Sequence, residues 1–131
     1  MASTDLFLID TCIWVTYFNR PRSAEKVAID GLLDDDRAAL IGPILAEVLL
    51  GFRRDQQADW VASELRGLNY IDTDWDDWRK AARLGRRMIA NGNSLPLSDL
   101  IIAAVALDGG HEVYSSDPHF DLFPDLKRFI P

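Results

Sequence analysis

Apolar residues run through this chain in two alternating rhythms. Short unbroken stretches, LFLI at 6–9 and AALI at 38–41, have the length and composition of buried strands. Residues 68–71 form a weaker run, EVYS at 112–115 a further one, and 127–130 offer a last. Between them the apolar positions take helical spacing. CIWVTYF follows Asp10 and Thr11, either of which can cap it. Residues 23–35 follow the cap Ser23, with Val27, Ile29, Leu32 and Leu33 apolar. ILAEVLLGF follows Gly42 and Pro43, and residues 56–66 carry Trp60, Val61 and Leu65. In the long stretch 74–90, Trp75, Trp78, Ala82, Gly85 and Ile89 fall on one side and Arg79, Arg83, Arg86 and Arg87 largely on another. Strands alternating with helices predict an α/β fold: a central parallel sheet of four to five strands between helices, in three α/β/α layers. No repeat, low-complexity segment or linker divides residues 1–131, so one domain is expected.

The most apolar stretch is LPLSDLIIAAVAL, residues 95–107, hydrophobic on all sides and therefore a buried helix. Pro96 suits its first position, and Gly109 and Gly110 end it. One charge interrupts it, Asp99, in the first turn. A carboxylate entering a core is costly unless it finds a partner, a metal or solvent. The helix dipole favours it there by no more than about 1 kcal/mol.

Composition narrows the setting. No apolar run approaches the roughly 20 residues that span a membrane, and the N-terminus lacks the pattern of a secretory leader. The one cysteine, Cys12, permits neither an intramolecular disulfide nor a cysteine zinc site. A cytoplasmic location is the resulting expectation. A net charge of −7 excludes coating nucleic acid by bulk electrostatics, though not a nucleic-acid enzyme with its basic residues gathered on one face.

The isolated acids fall in a pattern. Asp10 closes the first strand and Asp117 the fourth, while Glu47 and Asp99 stand near the starts of helices. In an open α/β sheet, strand carboxyl ends and helix amino ends share one edge, where ligands bind. The topology therefore predicts that Asp10, Glu47, Asp99 and Asp117 converge, with Asp121 as an outlying fifth. Each pair of carboxylates about 4 Å apart repels by about 4 kcal/mol at an effective dielectric near 20. Such a cluster takes up protons or cations. An all-oxygen set suits Mg²⁺ or Mn²⁺ better than Zn²⁺, and such ions serve phosphoryl transfer by holding the phosphate and generating hydroxide from water. Thr11 is placed to orient a carboxylate or a bound water.

At these residues, LIDTCIW, AEVLLG, LPLSDLIIAAVAL and VYSSDPHFD resemble, in order and spacing, the motifs of the PIN-domain ribonucleases, and more narrowly the VapC-type toxins of bacterial toxin–antitoxin pairs. The resemblance covers nearly the whole chain. It implies a PIN-like fold and a metal-dependent endoribonuclease whose metal-binding and catalytic set is Asp10, Glu47, Asp99 and Asp117. It places Thr11 and Ser116 at supporting hydroxyl positions and Asp121 at an acid found in only part of the family. It implies a homodimer inhibited by a small VapB-type antitoxin. Cys12 departs from the small hydroxyl residue common at its position.

The remaining residues carry plainer expectations. Arg53, Arg54, Arg79, Arg83, Arg86 and Arg87 either contact RNA or antitoxin or form solvated helix faces. The tryptophans are expected as core and interface anchors, with Trp14 in the core, and Cys12 as a buried small hydrophobe. His119 is expected as an exposed turn residue. An acid-cluster phosphatase would need an aspartate where Cys12 stands. A non-catalytic, metal-binding receiver-like α/β module would need a lysine near the acids, and Lys26, Lys80 and Lys127 stand in no strand-end motif. A PIN nuclease acting in RNA processing is a further alternative; such enzymes usually carry added domains.

Overall fold

The apolar runs form strands, and all of them pair in parallel. The computed structural model describes residues 5–131; residues 1–4, part of the N-terminal stretch read above for a leader, lie outside them. The strands are β1 (Phe7–Ile9), β2 (Ala38–Leu40), β3 (Asn69–Tyr70), β4 (Glu112–Tyr114) and β5 (Lys127–Arg128), in the order β3-β2-β1-β4-β5. The helices are α1 (Thr11–Asn19), α2 (Ala24–Asp34), α3 (Gly42–Leu50), α4 (Asp55–Leu65), α5 (Trp75–Ala90) and α6 (Leu97–Gly109), with a 3₁₀ turn at Pro118–Leu122. From β1 to β3 the chain steps one way across the sheet; from β3 to β4 it crosses back. Because parallel crossovers are right-handed, that reversal sets α5 and α6 on the face opposite α1–α4. The three expected layers result, and the switch point falls between β1 and β4, where Ile9 lies beside Tyr114.

The core sits on both faces of β1 and β2, whose residues are all buried. Helix α6 supplies the largest share from the other side, buried without a break from Asp99 to Ala106. Leu100, Ile101, Ile102 and Val105 there each contribute roughly 1.5–3 kcal/mol by leaving water. Pro96 is the residue just before this helix, not its first position, and Gly110 closes it in the left-handed conformation (φ 68°). No helix among the described residues is long and apolar enough to cross a membrane.

Helix α5 turns a different side to the core from the one its large apolar residues mark. Its buried positions are Asp77, Ala81 and Gly85, whereas Trp75, Trp78 and Ile89 are 82%, 45% and 66% exposed. The small side wins because α6 approaches it closely: a Cβ on Gly85 would lie 2.8 Å from Leu100 Cδ1. Asp77 tolerates burial because it exchanges hydrogen bonds with Asp74 in a capping box. Trp14 is the tryptophan that enters the core, at 1% exposure, and Trp60 stays at the surface.

Candidate metal centre

β1 and β4 are neighbours, so the residues that follow them emerge side by side. Asp10 leaves β1 and caps α1, its Oδ1 accepting the Thr11 N–H at 2.8 Å. Its Oδ2 accepts the Ser115 hydroxyl at 2.7 Å. Both residues are buried, so this bond replaces water that Asp10 has lost. Ser115 Oγ in turn accepts the backbone N–H of Asp117 at 3.0 Å. Asp117 caps the 3₁₀ turn by accepting the His119 N–H at 2.9 Å. His119 Nδ1 then lies 2.9 Å from Asp99 Oδ2 and 3.2 Å from Asp117 Oδ1. Ligand atoms of Asp99, Asp117 and His119 all fall within 4.8 Å of one another. A continuous set of contacts thus joins β1, β4, the 3₁₀ turn and the first turn of α6.

The electrostatics follow from crowding. Burial pushes the Asp99 carboxyl above the usual carboxylate range, the charges of Asp117 and Asp10 push it further, and the hydrogen bond from His119 opposes both. Glu47 stands in the second turn of α3, on its solvent-exposed side. Desolvation of its carboxyl and then the charges of Asp10 and Asp99 raise its pKa, while the nearby hydroxyls of Thr11 and Ser98 lower it. His119 is raised chiefly by its hydrogen bond to Asp99. Neighbouring negative charge that raises Asp99 and Glu47 in this way favours a divalent cation, and the oxygen-rich donors present fit one. The set is not all oxygen, however. His119, expected as an exposed turn residue, is half-buried against the acids because Asp117 draws its backbone into the cap.

The PIN domain family model matches residues 7–126. The chain belongs to the PIN-domain family. Over 127 residues it is 31% identical to VapC ribonuclease Mb1587 of Mycobacterium bovis and equally to Ribonuclease VapC11 of Mycobacterium tuberculosis, covering 94% of this chain and 95% of theirs. Among solved structures, VapBC2 from Rickettsia felis, bound to a DNA fragment from its promoter, superposes with a TM-score of 0.81 at 19% identity, over 95% of this chain and 97% of that one.

Within this PIN domain the supporting residues differ from their expected places. The hydroxyl that holds Asp10 belongs to Ser115; Ser116 is exposed and donates to Cys12 Sγ at 3.3 Å. Asp121 does not join the acids. It is exposed and pairs with Arg128 at 2.7 Å, and Arg128 also donates to the Ser115 carbonyl at 2.7 Å. Cys12 is half-buried at the site's rim, its sulfur 3.7 Å from both Asp10 Oδ2 and Ser115 Oγ. Arg79 pairs with Asp76 at 3.4 Å, whereas Arg83 and Arg87 line a groove with Lys80 and Asp108. Arg53, Arg54 and Arg86 are exposed. Alternation of apolar and polar residues gives no sign of Ser115, because a buried serine closing a strand looks like any turn residue.

Proposed function

We propose that this PIN domain is a divalent-metal-dependent endoribonuclease, the toxin of a VapBC-type pair, acting in the cytoplasm as a homodimer restrained by a VapB-type antitoxin. The observation that carries the reading is the assembly of Asp10, Asp99, Asp117 and His119 at one sheet edge, in a chain akin to ribonucleases over nearly its whole length. The neighbouring VapBC2 complex supports the antitoxin.

Asp10, Asp99 and Asp117 would hold Mg²⁺ or Mn²⁺, with Glu47 reaching it from α3 directly or through water. When bound, the ion supplies positive charge to the scissile phosphate and acidifies water. Ser115 keeps Asp10 and the Asp117 backbone in register. In-line attack by water breaks the bond from phosphorus to the 3′ oxygen; hydroxide adds to phosphorus and the proton ends on the departing oxygen. The products carry a 3′-hydroxyl and a 5′-phosphate. No side chain serves as nucleophile. Arg83 and Arg87 provide phosphate contacts along α5, and exposed bases of single-stranded or looped RNA are the readable substrate.

The test is cleavage of total RNA by the purified, antitoxin-free protein with Mg²⁺, with Mn²⁺ and with EDTA, beside Asp99→Asn. Discrete fragments with 5′-phosphate ends, lost in EDTA and in the variant, are expected. Fragments ending in 2′,3′-cyclic phosphate would overturn the mechanism.

A further inference from the structure

His119 closes the acid cluster from the side that solvent reaches, and its geometry is that of a ligand. We infer that its Nδ1 binds the same ion as Asp99 and Asp117, giving this centre a nitrogen donor and a preference for transition-metal ions such as Mn²⁺ over Mg²⁺. The inference rests on the metal-site reading above. Two donors on adjacent corners of an octahedral ion with bonds of about 2.1 Å stand about 3.0 Å apart. His119 Nδ1 lies 2.9 Å from Asp99 Oδ2 and 3.2 Å from Asp117 Oδ1, the spacing of neighbouring donors, and an ion would take the place of the proton that Nδ1 shares with Asp99.

The position is fixed by the turn that carries it. Pro118 sets the backbone at the turn's start, and Asp117 Oδ1 holds the His119 N–H at 2.9 Å. One residue on, Phe120 is fully buried, with the Arg128 guanidinium 5.7 Å over its ring. The imidazole thus stands on an anchored turn, and at 39% side-chain exposure it is open to an entering ion. Mg²⁺ takes oxygen donors and dehydrates reluctantly, whereas imidazole binds first-row transition metals well. A nitrogen in the shell therefore discriminates between the two kinds of ion.

The test compares the purified protein with His119→Asp, which restores an all-oxygen set, and with Asp99→Asn. Affinities for Mn²⁺ and for Mg²⁺ are measured by calorimetry, and the Mn²⁺-loaded proteins by pulsed EPR, which detects a directly bound ¹⁴N. Expected are a nitrogen coupling in the wild type that is lost in His119→Asp, and a fall of about tenfold or more in the ratio of Mn²⁺ to Mg²⁺ affinity. Asp99→Asn should lose both ions. Tight binding of both ions without nitrogen coupling, or an unchanged ratio in a His119→Asp protein that melts normally, would overturn the inference and leave the metal site standing. A wild type that binds neither ion would overturn both.

Discussion

Ser115 donates its hydroxyl proton to Asp10 at 2.7 Å, across a gap of 105 positions in the chain. The same oxygen accepts the Asp117 N–H, so one buried hydroxyl fixes the ends of two strands against each other. Ser115→Ala removes a donor from one acid and an acceptor from the other's backbone. The expected cost is about 1–3 kcal/mol of stability in a urea titration, with RNA cleavage down by about 10- to 100-fold. Ser115→Thr should keep both, and Ser116→Ala, which removes only an exposed hydrogen bond to Cys12, should change little.

The raised carboxyl of Asp99 makes stability depend on pH in a definite sense. Its ordinary value is 3.8 and folding raises it, so the native state binds the proton more tightly than the unfolded chain. Relative to the ionised form, the gain is present in full below the ordinary value and is lost as pH rises through the raised one. Glu47, raised from 4.5, and His119, raised from 6.5, act in the same direction. In EDTA, Asp99→Asn should therefore melt above the wild type at about pH 8, with the difference shrinking as pH falls toward about 4. Saturating Mn²⁺ should reverse the order at pH 8: at a hundred times Kd it adds about 2.7 kcal/mol to the wild type and nothing to the variant. A metal-induced shift of normal size in Asp99→Asn would remove Asp99 from the ligand set.

The architecture was legible in the sequence because strand and helix rhythms differ and each strand is buried. Asp10, Asp99 and Asp117 were legible for a related reason: acids at strand ends and helix starts of a parallel sheet share an edge. Other features were settled by contacts between segments far apart. Arg128, on the last strand, draws Asp121 outward, and no local pattern records that pairing. Ser115 and Ser116 are chemically alike; only the strand's last turn of direction decides which of them faces Asp10. His119 joined the site because Asp117 captures its backbone, a hydrogen bond between near neighbours that composition does not reveal. On α5, hydrophobicity pointed to the tryptophans, while the packing of α6 selected glycine and alanine for their size.

That selection predicts the effect of adding one methyl group. Gly85→Ala places a Cβ 2.8 Å from Leu100 Cδ1, and Leu100 is itself buried beside Asp99. Although alanine favours a helix interior, overpacking should dominate and destabilise the fold by about 1–3 kcal/mol. Relief by displacement of α6 would shift Asp99, so metal affinity should fall as well. Gly31→Ala, where the new Cβ meets nothing within 4 Å, is the matched control and should be neutral or slightly stabilising in a thermal melt.

The arginines of α5 differ in what they can offer RNA. Arg79 is engaged by Asp76, whereas Arg83 and Arg87 share a groove with Lys80, which is itself paired with Asp108 near the end of α6. Because α5 and α6 run antiparallel, the step from Lys80 to Arg87 leads toward the end of α6 that bears Asp99. An acidic chain with net charge −7 needs such a local cationic track to hold a polyanion. Deleting one cation that neutralises a phosphate should flatten the plot of log affinity against log salt by about 0.7 for single-stranded RNA. Arg83→Ala and Arg87→Ala are thus expected to weaken RNA binding and reduce that slope while leaving Mn²⁺ affinity unchanged, and Arg79→Ala to do neither. Binding of a fluorescent RNA to the wild type and its arginine variants in EDTA across a salt series, where no cleavage occurs, checks this; equal slopes for all three arginine variants and the wild type would place the RNA elsewhere.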